Sequence, residues 1–172
     1  GSEMCIRDSV RTEPEKVNFF IGIQSARSDI KGTDIMYPVL KEIQKKYPDQ
    51  CRITEAIDAP YAIYQKLMDD ADVQLDQLYS YTPSMNSLLA MAKGVIVLGG
   101  GEEENYEIIN EKELRPIINV YPSEEDIFQK LEYIVLNKER IPELSAQSIE
   151  YVRKHHNYVK VAQQYVDFWE AH

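Results

Sequence analysis

Strand-like and helix-like segments alternate about five times along this chain, and such alternation predicts an α/β domain. Three observations carry the prediction. The runs Val17–Ile23 and Gly94–Leu98 are almost continuously apolar, as strands covered on both faces are. Between strand candidates, apolar residues recur at helical spacing, as Ile35, Met36, Val39, Leu40 and Ile43 do. Turn-forming residues such as Tyr47-Pro48-Asp49 and Asp58-Ala59-Pro60 separate one kind of segment from the next. The architecture that follows is a parallel sheet with helices on both faces, three layers deep, closed by C-terminal helices.

Taken in order, the first strand is Val17–Ile23, ending at a glycine and an isoleucine. The loop Gln24–Gly32 leads to a helix from Thr33, stopped at Tyr47-Pro48-Asp49 because the residue before proline resists the helical region. Cys51–Ile57 reads as the second strand, and Tyr61–Met68 as a helix. Val73–Leu78 is the third strand. Thr82 followed by Pro83 reads as an N-cap with proline at the first helical position, where no N–H is needed. Leu88, Leu89, Met91 and Ala92 give that helix an apolar face. After the strand Gly94–Leu98 come a glycine loop, an untyped element at Tyr106–Asn110 and a last strand at Ile117–Val120. Ser123 with Asp126 resembles a capping box ahead of Ile127, Leu131, Ile134 and Val135. Two more helices follow, roughly Pro142–Lys154 and Tyr158–Trp169. The set Tyr151, Tyr158, Tyr165, Phe168 and Trp169 is spaced for helix packing or an interdomain surface.

The chain of 172 residues fits one domain. Residues 1–16 lack periodicity: Gly1-Ser2 resembles a tag scar, Met4-Cys5-Ile6-Arg7-Asp8-Ser9 translated adapter sequence. They are expected to stand outside the fold, which then spans 17–172. A net charge of −10 argues against nucleic acid, whose phosphates call for a basic face. No apolar run reaches the roughly 20 residues of a membrane span, and no signal peptide is evident. Two cysteines, Cys5 and Cys51, make neither a disulfide framework nor a metal spacing, so a reducing, cytoplasmic setting is expected.

Ligands of such sheets bind beyond the carboxyl ends of the strands, where the loops Gln24–Gly32, Asp58–Tyr61, Tyr79–Asn86 and Gly99–Glu104 lie. Arg27 and Lys31 in the first loop suit a diphosphate, the guanidinium as a fork and the ammonium as a point charge; solvated surface cations are the competing reading. The N–H groups at the start of the helix near Pro83, with Ser84, Asn86 and Ser87, suit a phosphate, or are an ordinary capped helix start. Gly99-Gly100-Gly101 permits close backbone approach to a ligand, or a flexible turn. It lacks the Gly-Lys-Ser/Thr of a phosphate loop, and the first strand lacks the dinucleotide glycine fingerprint. Asp72 and Asp76 bind ligand or hold loops. His155, His156 and His172 have no companions at metal spacing.

From about Val17 to Trp169 the chain resembles the C-terminal, donor-binding, Rossmann-like domain of GT-B fold glycosyltransferases of the group-one family. The likeness rests on Arg27 with Lys31-Gly32-Thr33-Asp34, on Ala59-Pro60-Tyr61 with Tyr64, on Ala71-Asp72-Val73, and on Leu89-Ala90-Met91-Ala92-Lys93-Gly94. The resemblance implies a hexosyltransferase taking a UDP- or GDP-linked sugar as substrate, without metal or other cofactor, toward a glycan or lipid-linked acceptor. The residues it implies at the donor are Arg27, Lys31, Pro60, Tyr61, Tyr81, Ser84, Met85, Asn86 and Ser87. It implies an N-terminal acceptor domain beyond this chain, peripheral membrane association of the whole protein, and aromatic surface near Trp169 facing that domain. No catalytic residue is carried over. The family's paired glutamates, eight positions apart, would fall on Tyr81 and Leu89, and leucine offers a ribose no hydrogen bond. A non-catalytic scaffold of the same fold is the alternative.

Overall fold

A computed structural model of the chain describes residues 10–157 and 164–168. Its sheet has five strands, all parallel, in the order β2-β1-β3-β4-β5. They are β1 (Val17–Ile23), β2 (Cys51–Ile57), β3 (Val73–Leu75), β4 (Ile96–Gly99) and β5 (Ile118–Asn119). The helices are α1 (Ser28–Lys31), α2 (Thr33–Lys46), α3 (Tyr61–Asp69), α4 (Met85–Ala92), α5 (Glu103–Ile108), α6 (Glu124–Leu136) and α7 (Ile141–His155). This is the Rossmann-like α/β architecture the alternation predicts.

The near-continuous apolar strands have a direct cause. Successive side chains of a strand point to opposite faces, and here both faces are covered. Val17, Phe19 and Ile21 enter a core with Met36, Leu40 and Ile43 of α2 and Ile127 and Leu131 of α6. Phe20, one residue out of phase, packs instead with Met68 of α3 and Ala90 of α4. A third cluster joins Leu88, Leu89 and Tyr106 to Tyr151 of α7. Because α2 and α3 lie on opposite faces, the chain leaves β1 to one side for β2 and returns across the other for β3. The strand order therefore reverses at β1/β3, which opens a crevice beyond those strand ends.

Several local expectations are corrected. The loop after β1 carries a 3-10 turn (Ser25–Arg27) and the single-turn α1 before α2. Strand β3 stops at Leu75, because the Leu78 N–H turns away to donate to the Lys31 carbonyl. Thr82 is not the cap of α4: Ser84 is, its Oγ accepting from the Ser87 N–H at 3.2 Å. The untyped stretch near Tyr106 is α5. The Ser123–Asp126 box is half-formed, since Ser123 Oγ accepts from Asp126 N while the Asp126 carboxylate accepts from Tyr121 N at 2.8 Å. The glycine run is no open ligand loop. It is buried, and a Cβ at Gly100 would fall 2.1 Å from the Ser80 carbonyl oxygen, so its close approach is to the chain's own backbone.

Residues 10–16 form neither helix nor strand, yet they lie against the domain. The Arg11 guanidinium donates to the carbonyls of Asp69 and Ala71, and its N–H to Ser145 Oγ. Tyr151 of α7 is buried, and Tyr165 and Phe168 are exposed. Trp169 and Tyr158 fall outside the described residues. None of the described helices is long and apolar enough to cross a membrane.

Candidate functional site

A cleft of about 590 Å³ lies over the carboxyl ends of β1, β2 and β3, at the β1/β3 reversal. Gly22, Ile23 and Gln24 form one wall and Ala56 and Ala59 another, with Lys31 reaching in from the end of α1. Tyr61 and Tyr64 of α3 line it, as do Gln74 to Gln77 at the end of β3 and Ser84, Met85 and Asn86 at the start of α4.

Two contacts hold the mouth in shape. Asp58 stands at φ +46° after β2, and its carboxylate accepts from Ser25 Oγ at 2.5 Å and Ser25 N at 2.9 Å. These hydrogen bonds pin the loop after β1 to the β2–α3 turn and hold the Asp58 carboxyl below its ordinary range. At the other end, Asp76 accepts from the Ser84 N–H at 3.0 Å and from Ser84 Oγ at 2.8 Å. A carboxylate thus sits at the positive end of α4, where an anion is favoured. Burial pushes the Asp76 carboxyl up, opposed by the hydrogen bonds from Ser84 and Ser87 and by the nearby charge of Lys31.

The α4 start is accordingly satisfied in large part by the chain itself, through Ser84 and Asp76. Replacing Ser84 with alanine removes the cap and one donor to Asp76. The expected cost is about 1 kcal/mol, read as a fall of about 2–4 °C in the unfolding midpoint. An unchanged midpoint in a thermal melt would show that Ser84 does not hold the helix end.

Tyr64 is the most enclosed aromatic of the cleft. Its ring meets Phe20 edge-on, with centroids 5.0 Å apart, and covers Gly22, where a Cβ would come within 2.3 Å of Tyr64 Cε2. Burial raises its hydroxyl beyond the ordinary tyrosine range, which keeps it protonated. That hydroxyl accepts from Gln74 Nε2 at 2.9 Å. Tyr61, one helical turn earlier, lies parallel to Tyr64 within 8°.

Of the residues expected at the donor, the fold brings Lys31, Tyr61, Ser84, Met85 and Asn86 to the cleft. Arg27 is exposed at the end of the 3-10 turn and does not line it, and Pro60 serves as the N-cap residue of α3. Ser87 is fully buried behind Ser84. Tyr81 is 53% exposed outside the cleft, while Leu89 is a core side chain at 5%. Neither position where the paired glutamates would fall faces the ligand space. Gln74, Asp76 and Tyr64 are the lining residues that sequence reasoning underweighted. A glutamine inside the apolar run Val73-Gln74-Leu75 is their one advance signal, since a buried amide needs partners.

A family model described as "Glycosyl transferase-like" matches residues 23–167. No protein of curated function matches the chain. Among solved structures, S. aureus TarM, in complex with UDP, fondaparinux and alpha-GlcNAc-glycerol, superposes with a TM-score of 0.60 at 12% identity. That likeness covers 92% of this chain and 37% of TarM. WaaG, a glycosyltransferase involved in lipopolysaccharide biosynthesis, gives 0.53 at 15% identity over 87% of this chain and 46% of its own. Sucrose-phosphate synthase from Thermosynechococcus elongatus gives 0.53 at 14% identity over 92% and 47%. At these identities the likeness is one of fold, and the chain spans less than half the length of each of the three.

Proposed function

This chain belongs to the glycosyl transferase-like family, and from that premise we propose that it is the nucleotide-sugar-binding half of a hexosyltransferase. The observation that carries the reading is the cleft at the β1/β3 reversal, the place where α/β sheets take nucleotides. In it Lys31 supplies positive charge for a diphosphate, with Arg27 at the loop above, and Tyr61 supplies an aromatic wall. Met85 and Asn86 border the sugar–phosphate end. The acceptor, a glycan or a lipid-linked molecule, is held by a second domain outside this chain, and the whole protein associates peripherally with the cytoplasmic membrane surface. The donor carries its own charge to Lys31 and Arg27, so no metal is assigned.

A second reading has its own support. Leu89 in the core and Tyr81 outside the cleft leave the ribose without the usual carboxylate, as in a domain retained for scaffolding. Calorimetric titration with UDP, GDP and their hexose conjugates separates the two. Micromolar to millimolar binding is expected, weakened at least about tenfold in Arg27→Ala/Lys31→Ala, since charge-assisted contacts to phosphate are among the stronger ones. Silence toward every nucleotide would favour the scaffold.

A further inference from the structure

We propose that Gln74 selects the nucleobase: its side-chain oxygen accepts from the ring N–H of a lactam base, uracil or guanine. This rests on the nucleotide-sugar reading above and names the base class and the residue that reads it. Gln74 lies in the middle of β3, lines the cleft and is only 2% exposed. Its nitrogen is committed to the Tyr64 hydroxyl, and its Oε1 is buried with no hydrogen-bond partner among the described residues. Buried polar atoms are nearly always paired, and one left open beside a cleft calls for a ligand donor.

Turning the amide over does not satisfy it: the Tyr64 hydroxyl can serve either amide atom, and whichever atom faces away from it is left without a partner among the described residues. Tyr64, which holds its nitrogen, is wedged between Phe20 and the bare backbone of Gly22. The fixed ring of Tyr64 thus holds one end of the amide, and the oxygen is the end left unpaired in this structure, while the parallel ring of Tyr61, 38% exposed, offers a planar surface at the mouth. Uracil and guanine carry a ring N–H at the centre of their pairing edge. Cytosine and adenine carry a lone pair there, which would face the glutamine oxygen acceptor to acceptor. A site built to hydrogen-bond one group discriminates strongly against the analogue that lacks it.

The test is calorimetric titration of the chain, of Gln74→Met and of Tyr64→Phe with UDP, GDP, CDP, ADP and inorganic pyrophosphate. The unaltered chain is expected to bind UDP or GDP at least about tenfold tighter than CDP and ADP. Gln74→Met should lose that preference while pyrophosphate binding stays unchanged. Tyr64→Phe keeps the ring, releases the amide and should blunt the preference. It decides the matter if circular dichroism shows Gln74→Met unfolded. Base preference retained in the variants overturns the assignment, as does a ranking with CDP and ADP ahead, which would turn the amide nitrogen toward the ligand. Nucleotide binding that ignores the base overturns this inference alone. Absence of all nucleotide binding by the unaltered chain overturns the donor-site reading and this inference with it.

Discussion

Gly100→Ala is expected to lower the unfolding midpoint by about 6–12 °C, from a destabilisation of about 3 kcal/mol at about 2–4 °C per kcal/mol for a chain of this size. The cause is backbone meeting backbone. An added Cβ would lie 2.1 Å from the Ser80 carbonyl oxygen and 2.8 Å from that of Thr82. No side chain is available to swing aside, so the two loops must part. They are joined nearby, where the Glu102 N–H donates to the Tyr81 carbonyl, and the chain from Ser80 to Thr82 runs directly into Ser84. The variant should therefore weaken nucleotide binding as well as stability, because Ser84, Met85 and Asn86 line the cleft. A thermal melt by circular dichroism checks it. A midpoint within a degree or two of the unaltered protein would mean that the loops separate without cost.

The same glycine shows where sequence reasoning reaches and where it stops. Strands buried on both faces announce themselves as apolar runs, and β1 keeps the limits Val17–Ile23 read from the sequence. Helix α2 begins at Thr33 as its periodicity requires. Gly99-Gly100-Gly101 reads from sequence as permission for close approach, but the partner in that approach is set by the whole topology. The start of α4 fails for a related reason. Thr82-Pro83 is a sound local signal, overridden because the Asp76 carboxylate at the end of β3 takes both the N–H and the hydroxyl of Ser84. The cleft was half legible. Lys31, Tyr61 and the α4 residues follow from the rule that strand ends carry the ligand. Gln74 and Tyr64 meet only because α3 packs across β1, a contact no pattern in either segment contains.

Glu111→Gln is expected to cost about 2 kcal/mol near neutral pH, and the cost should fade as the solution is acidified. The Glu111 side chain is 1% exposed, and it accepts from Lys154 Nζ at 2.8 Å and from the N–H groups of Glu113 and Leu114; it also meets His155 Nε2 at 2.5 Å. It thereby ties the turn after α5 to the last turn of α7. Its carboxyl is held far below the ordinary range, first by the hydrogen bond from Lys154 and then by that from His155. The folded chain then binds this proton less readily than the unfolded chain does. The stabilisation is complete above the ordinary glutamate value of about 4.3 and is withdrawn as the pH falls below it toward the low folded value. Asp72 and Asp76 pull the other way. Burial raises both, so their ionisation opposes folding, and acidification relieves that opposition as the pH falls through their raised range. Their contribution is common to both proteins and cancels in the difference. Melts of the protein and of Glu111→Gln between about pH 7 and 3 should therefore begin to converge below about pH 4 and draw closer toward pH 3. Parallel curves would assign the cost to lost packing instead of the charge on Glu111, and identical curves would remove the anchor of α7 altogether.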